Sequence, residues 1–262
     1  MLKNCIFLLS LISISALAQK NVKESVAFEK PPKIDGDVSD WSCEWWIDPD
    51  GKFFSNVTND ADNLYVRLKI ADDITQQKIG LFGLSVKLNP TGKRKGKVGL
   101  KYPVGKDASE FKKNEPEAVD RSADINNLVQ MKKDLISDVE VVELIGLAKQ
   151  NIVSSRLGLA NGIEAIIVAQ NDGAYIYEAK IPFKAFRIKK SDVENLGVEF
   201  ETGRYIPQSK NNNNNAGNTP GPGGYGSGYG AGGYRQPRMY YSNYQYNALS
   251  SPGYYFVAVK LK

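Results

Sequence analysis

Residues 64 to 70 alternate strictly. Leu64, Val66, Leu68 and Ile70 are apolar, and Tyr65, Arg67 and Lys69 lie between them. A period of two is the mark of a β-strand with one buried face, because successive side chains point to opposite sides of a sheet. Similar short runs recur at Phe53 to Val57, Leu81 to Leu88, Val98 to Val104, Val139 to Leu147, Gly162 to Ala169, Ala174 to Ile181, Leu196 to Arg204 and Tyr254 to Leu261. Val26-Ala27-Phe28 precedes them. The runs from Phe53 to Val104 read as an antiparallel meander, and Asn171-Asp172-Gly173 reads as a hairpin turn. Residues 108–138 are highly charged and lack the alternation. Ser122 to Ile136 in that stretch suits one amphipathic helix, with Ile125, Leu128, Val129, Lys132 and Leu135 or Ile136 on related faces. The expected fold class is all-β: an antiparallel, jelly-roll-like β-sandwich with one short helical excursion.

One stretch cannot belong to a core. Residues 208–236 are rich in Asn, Gly and Tyr, and nine of the 24 glycines fall between Gly217 and Gly233. Such a stretch buries too little apolar surface to offset its ordering entropy. The strand-like run Tyr254 to Val259 follows it. It therefore reads as a loop inserted between the last two strands of one domain spanning residues 19–262. Seven of the 14 tyrosines lie between Tyr225 and Tyr246. Tyr225, Tyr229 and Tyr234, with Arg235 and Arg238, have the chemistry of interface anchors, so this loop is a candidate partner-binding segment.

The N-terminus has the pattern of an export signal. Lys3 gives a positive start, Ile6 to Leu17 is an apolar run broken by serines, and Ala16-Leu17-Ala18 offers a small-x-small cleavage site after residue 18. Cys5 precedes the apolar run rather than following it, which argues against a lipid anchor. No later run approaches the length of a transmembrane helix. The expectation is a chain exported to the periplasm, cell surface or medium, in keeping with a bacterial envelope protein.

Composition narrows the chemistry. The chain has 262 residues and no histidine. Its two cysteines are Cys5 and Cys43, so cleavage leaves one thiol. That excludes catalytic sites that need an imidazole base, the usual zinc sites and an internal disulfide. Cys43, between Trp41 and Trp45-Trp46, reads as a buried small apolar residue. Carboxylates are numerous, but no spacing singles out a catalytic pair, and a non-enzymatic role is expected. Net charge is +5, a mild excess, and export makes nucleic acid an unexpected partner. The dense basic run Lys93-Arg94-Lys95 with Lys97 is punctuated by glycines and reads as a solvated hairpin tip.

Two stretches carry a family resemblance. The first is Pro32-Lys33-Ile34-Asp35-Gly36-Asp37-Val38-Ser39-Asp40-Trp41, followed by Asn59-Asp60-Ala61-Asp62-Asn63-Leu64-Tyr65-Val66. The second is Tyr175-Ile176-Tyr177-Glu178-Ala179-Lys180-Ile181-Pro182-Phe183, followed by Leu196 to Phe200. In this order they resemble the family 9 carbohydrate-binding modules and related sandwich domains. These open with an "IDG…DW" motif, continue with an "L-Y" strand and end with an "E-x-x-I-P-F" strand. The resemblance implies a sandwich over nearly all of the exported chain and a glycan-binding or accessory role in the envelope. Family members that bind sugars use two aromatic residues well apart in sequence, and no tryptophan follows Trp46 here.

The residues have readings of their own. Asp35-Gly36 suits a turn in which glycine takes positive φ. Trp41 is expected to plug one end of the sandwich, and Asp60 and Asp62 to cap the turn before Leu64. Trp45 and Trp46 should face opposite sides of a strand. Trp45, Trp46 and Tyr65 are the candidate ligand-binding residues, since sugars stack on aromatic faces. Asp35, Asp37 and Asp40 share one turn and are candidate calcium ligands, with Asp60, Asp62, Asp72 and Asp73 as possible neighbours; their spacing is not that of an EF-hand. A second reading keeps the fold without sugar binding. It makes the chain a structural subunit of an outer-membrane or cell-surface complex, docked through the Tyr-rich loop.

Overall fold

The computed structural model describes residues 22–105, 130–137, 141–147, 152–154, 162–206 and 243–262, save positions 27, 29, 42, 43 and 131. Residues 1–18 and 208–236, Cys43, and Tyr225, Tyr229, Tyr234, Arg235 and Arg238 lie outside them.

The protein is all-β, with twelve strands in two sheets. In chain order the strands are β1 (Val22–Glu24), β2 (Trp46–Ile47), β3 (Phe54–Asn59), β4 (Asn63–Ile70), β5 (Leu84–Asn89), β6 (Val98–Lys101), β7 (Val141–Ile145), β8 (Ile152–Ser154), β9 (Glu164–Ala169), β10 (Tyr175–Pro182), β11 (Leu196–Thr202) and β12 (Tyr254–Lys260). The seven-stranded sheet has the order β1-β12-β11-β5-β6-β7-β8, and the five-stranded sheet β2-β3-β4-β10-β9. Among the described residues all strand pairings are antiparallel except β1 with β12. The runs at Phe53 to Val57, Leu64 to Ile70, Ala174 to Ile181, Leu196 to Arg204 and Tyr254 to Leu261 each hold a strand.

One core joins the sheets. Val57, Leu64, Val66, Leu68, Tyr175, Tyr177 and Ile181 of the smaller sheet share a cluster with Leu84, Val86, Leu100, Val198, Phe200, Tyr255 and Val257 of the larger. Tyr255 lies stacked against Phe53 and Phe200, with ring centroids 6.1 and 5.7 Å away.

Two sequence expectations need correction. The runs from Phe53 to Val104 do not form one meander: β3 and β4 belong to the smaller sheet, β5 and β6 to the larger. The crossing between them is a helix, α1 (Asp73–Phe82), so Leu81 ends a helix rather than starting a strand. Asp72 caps α1, accepting from the Thr75 amide at 2.8 Å and its hydroxyl at 2.6 Å. Residues 132–135 are helical, in line with an excursion there. With α1 and α2 (Asn243–Ser250), the helices number more than the single excursion expected.

The second correction concerns β4. It is not half-buried, because Tyr65 and Arg67, on the face away from the core, are each only 2% exposed. Something covers the outer side of the smaller sheet.

Candidate interaction site

The cover is the chain's own N-terminal segment. The antiparallel registers place Asn56, Arg67 and Glu178 side by side on the outer face of β3, β4 and β10. The described residues between Ser25 and Trp45 run over this row as a strap. The Asp35-Gly36 turn is fastened to Glu178, whose Oε2 accepts the Gly36 amide at 2.8 Å and the Asp35 amide at 3.1 Å. Gln170 donates from Nε2 to the Gly36 carbonyl at 3.3 Å. Glycine is required at 36 on two counts: φ is +82°, and a Cβ would meet Val168 Cγ2 at 2.6 Å.

Further along the strap, aromatic rings close over Arg67. Its guanidinium lies 4.1 Å from the Trp45 ring centroid and 5.1 Å from that of Trp41. Phe28 meets Trp41 and Tyr65 edge-on, at 6.1 and 5.5 Å. Asn56 donates to the Glu44 carbonyl at 2.8 Å, and Thr58 to that of Val26. Asn59 ties Ser25 to the C-terminal residue, accepting from Ser25 Oγ at 2.6 Å and from the Lys262 amide at 3.0 Å.

The electrostatics follow from burial. Glu178 is fully buried. Burial raises its carboxyl above the ordinary range, while the Gly36 and Asp35 amides and Trp41 pull it down and Asp40 adds to the rise. Only one carboxylate oxygen is used well: Oε1 has no hydrogen-bond partner among the described residues, nor do Trp41 Nε1 and Asn56 Oδ1. Burial also pushes Asp60 up, but the Tyr65 hydroxyl at 2.7 Å and the Asp62 and Asn63 amides outweigh it and hold Asp60 below its ordinary value.

Of the candidate ligand residues, Tyr65 is buried, whereas Trp45 and Trp46 are half-buried, each with one packing partner inside the fold. Trp45 and Trp46 do face opposite ways, with Trp46 in β2 and Trp45 just before it. Trp45 stacks on Arg67, and Trp46 packs against the core. Tyr65 is corrected outright: it is buried, and its hydroxyl is committed to Asp60. Trp41 is buried as expected, but over the outer face of the smaller sheet rather than in the core between the sheets.

The carboxylates of the opening turn do not converge as calcium ligands. Asp35 accepts the Asp37 amide at 3.0 Å, Asp37 the Ser39 amide at 2.9 Å and Asp40 the Lys33 amide at 2.7 Å. Each is a local turn cap. Among the described residues no group of three or more His, Cys, Asp or Glu side chains is placed to hold a metal ion. Asp60 caps its turn as expected, and Asp72 caps α1.

Sequence reasoning missed Arg67, Phe28 and the role of Glu178. The available signal was a charged residue amid apolar neighbours on each strand, together with three tryptophans within six positions of one another. Read alone, Arg67 and Glu178 pass for solvent-facing residues.

A second region is built differently. Strands β11 and β12 pair directly, so the Asn/Gly/Tyr-rich stretch is an insertion between neighbouring strands, as its position suggested. Its base is pinned: the Tyr205 amide donates to Leu249 O of α2 at 2.9 Å, and the Gly203 amide to Gly83 O at the end of α1 at 2.8 Å. At this base Ile206 is 65% and Tyr254 54% exposed, among the largest exposures of apolar side chains in the described residues. The hairpin tip joining β5 and β6 carries exposed Lys93, Arg94, Lys95 and Lys97, as expected of a solvated tip. No described helix is long and apolar enough to cross a membrane.

A scan of the sequence against protein-family models finds no match, and no curated protein matches it.

Proposed function

We propose that this chain is a non-catalytic β-sandwich module of the bacterial envelope that holds a partner protein through the insertion between β11 and β12. The observation that carries this reading is the pinned base with exposed Ile206 and Tyr254, from which a Tyr-, Gly- and Arg-rich stretch departs. Exposed apolar and aromatic side chains beside such a stretch suit a protein interface, where Tyr and Arg supply most of the binding energy. The export pattern at residues 1–18 supports the envelope location. The resemblance to family 9 carbohydrate-binding modules supports the scaffold. Its signature residues Asp35-Gly36 and Glu178 join to each other and fasten the strap, which is a structural use of the motif.

A glycan-binding reading has one observation of its own. On the outer face of the larger sheet, Phe256 of β12 lies opposite Glu199 of β11 and Tyr254 opposite Glu201. Aromatic rings beside carboxylates suit a sugar's apolar face and hydroxyls. Here, however, Arg94 lies over Phe256 at 5.5 Å, the Lys95 amide donates to Glu199 and Lys87 pairs with Glu201, so Tyr254 is the ring left exposed. The test is affinity isolation from envelope with the native chain and with residues 211–236 deleted. Loss of a stoichiometric partner on deletion, with the sandwich still folded by circular dichroism, is the expected result. Partners that stay bound after the deletion would overturn the reading.

A further inference from the structure

The four sheet edges are not alike. Three are short: β2 has two residues, and β1 and β8 have three each. The fourth is β9, six residues long with the sequence Glu-Ala-Ile-Ile-Val-Ala, and among the described residues it pairs on one side only, with β10. Natural edges are usually blunted by brevity, lysine, proline or a bulge. Strand β9 has no lysine or proline, and its register with β10 runs unbroken from Glu164 to Ala169. Its one charge, Glu164, is already engaged by Lys180 at 2.9 Å. All but Ile167 are half-exposed.

The open backbone groups can be assigned. The Gln170 amide donates inward to Ala174 O at 2.8 Å. In an antiparallel pair the hydrogen-bonded positions alternate. Residues 164, 166, 168 and 170 therefore turn their backbone groups to β10, and Ala165, Ile167 and Ala169 turn theirs to the free edge.

We infer that β9 is a self-association edge that pairs antiparallel with β9 of a second copy of this chain, about a two-fold axis at Ile167. The strand is complementary to itself in that register. Ala165 pairs with Ala169 of the second copy, Ile167 with its equivalent and Ala169 with Ala165, so all three open positions exchange both their hydrogen bonds. No other two-fold register pairs all three. On the outer face Ile166 meets Val168, and Glu164 meets Gln170, so no like charges are opposed. The two small sheets become one continuous sheet across the axis.

Sedimentation of the full exported chain over about 1–500 μM should show a concentration-dependent dimer. Ile166→Lys places a lysine on the edge, and Ala165→Pro removes an edge donor that β10 does not use. Each should weaken the dimer at least about tenfold. Circular dichroism should show both still folded. In a Cys43→Ser background, Ile166→Cys with Val168→Cys should give a disulfide-linked dimer on mild oxidation, because these positions face each other across the axis. Glu164→Cys with Val168→Cys should not. A chain monomeric throughout, a dimer indifferent to both edge variants, or cross-linking by the second cysteine pair alone would overturn the inference.

Discussion

Replacing Glu178 tests the strap most sharply, because two substitutions separate its hydrogen bonds from its charge. Glu178→Ala removes the acceptor for the Gly36 and Asp35 amides and opens space beneath Trp41. An orphaned buried amide costs about 1–3 kcal/mol, and truncating a buried side chain adds a cavity cost. Removing a buried charge returns part of that. The expected net loss is about 2–4 kcal/mol at pH 7. Glu178→Gln keeps an oxygen for both amides and removes the charge, so it should be within about 1 kcal/mol of the native chain and on the stable side at pH 7. The sign of the pH effect is set by the raised carboxyl. Its ordinary value is 4.5. As pH rises past that, the unfolded chain gives up its proton first, and stability falls until the folded carboxyl also ionises. Below 4.5 the fold carries no charge penalty from this group. Urea unfolding from pH 4 to 8 should therefore show the advantage of Glu178→Gln growing as pH rises and then levelling. A glutamine variant that loses more than about 1.5 kcal/mol at every pH would refute the reasoning, since it would mean that the carboxylate's charge is what holds the turn.

Other expectations follow from the same geometry. Gly36→Ala should cost about 2–4 kcal/mol in urea unfolding, from positive φ and from contact with Val168, whereas Asp35→Ala next to it should cost under about 1 kcal/mol. Trp45→Ala should cost about 1–2 kcal/mol by uncovering Arg67, and should leave partner capture intact. Asp60→Asn should cost about 1–2 kcal/mol at pH 7, and this difference should vanish in acid. Asp60's value is depressed below the ordinary 3.8, so its contribution is present above that and is lost as pH falls through the lower folded value. Millimolar calcium should move the melting temperature by less than about 1 °C, because Asp35, Asp37 and Asp40 are turned to backbone amides.

The longer strands were legible because period-two alternation reports which face is buried, whereas the short edge strands β1, β2 and β8 were not. Leu64 to Ile70 and Tyr175 to Ile181 landed where the pattern put them. The partition into sheets was not legible. Pairing is a long-range property, and the run from Leu81 hid a helix whose only local marker was Asp72 followed by Thr75. The strap was invisible for a related reason. Alternation tells core from non-core, but a polar outer face looks the same whether water or another segment covers it. Arg67, on the polar face of a strand that reads as half-buried, is buried, and the aromatic candidates Trp45 and Tyr65 pack around that polar row. The motifs that carry the family resemblance were visible at once. Their contact with each other, Asp35-Gly36 on Glu178, spans more than a hundred residues and shows only in the fold.

The central claim is that the strap's aromatics are structural and that the insertion between β11 and β12 carries the interaction. Its most direct test is one quantitative affinity isolation from envelope comparing the native chain, Trp45→Ala and the deletion of residues 211–236, with glycan binding measured on the same three proteins. The account expects the partner to be kept by Trp45→Ala and lost on deletion. Glycan binding that Trp45→Ala abolishes, with partners unchanged by the deletion, would contradict it.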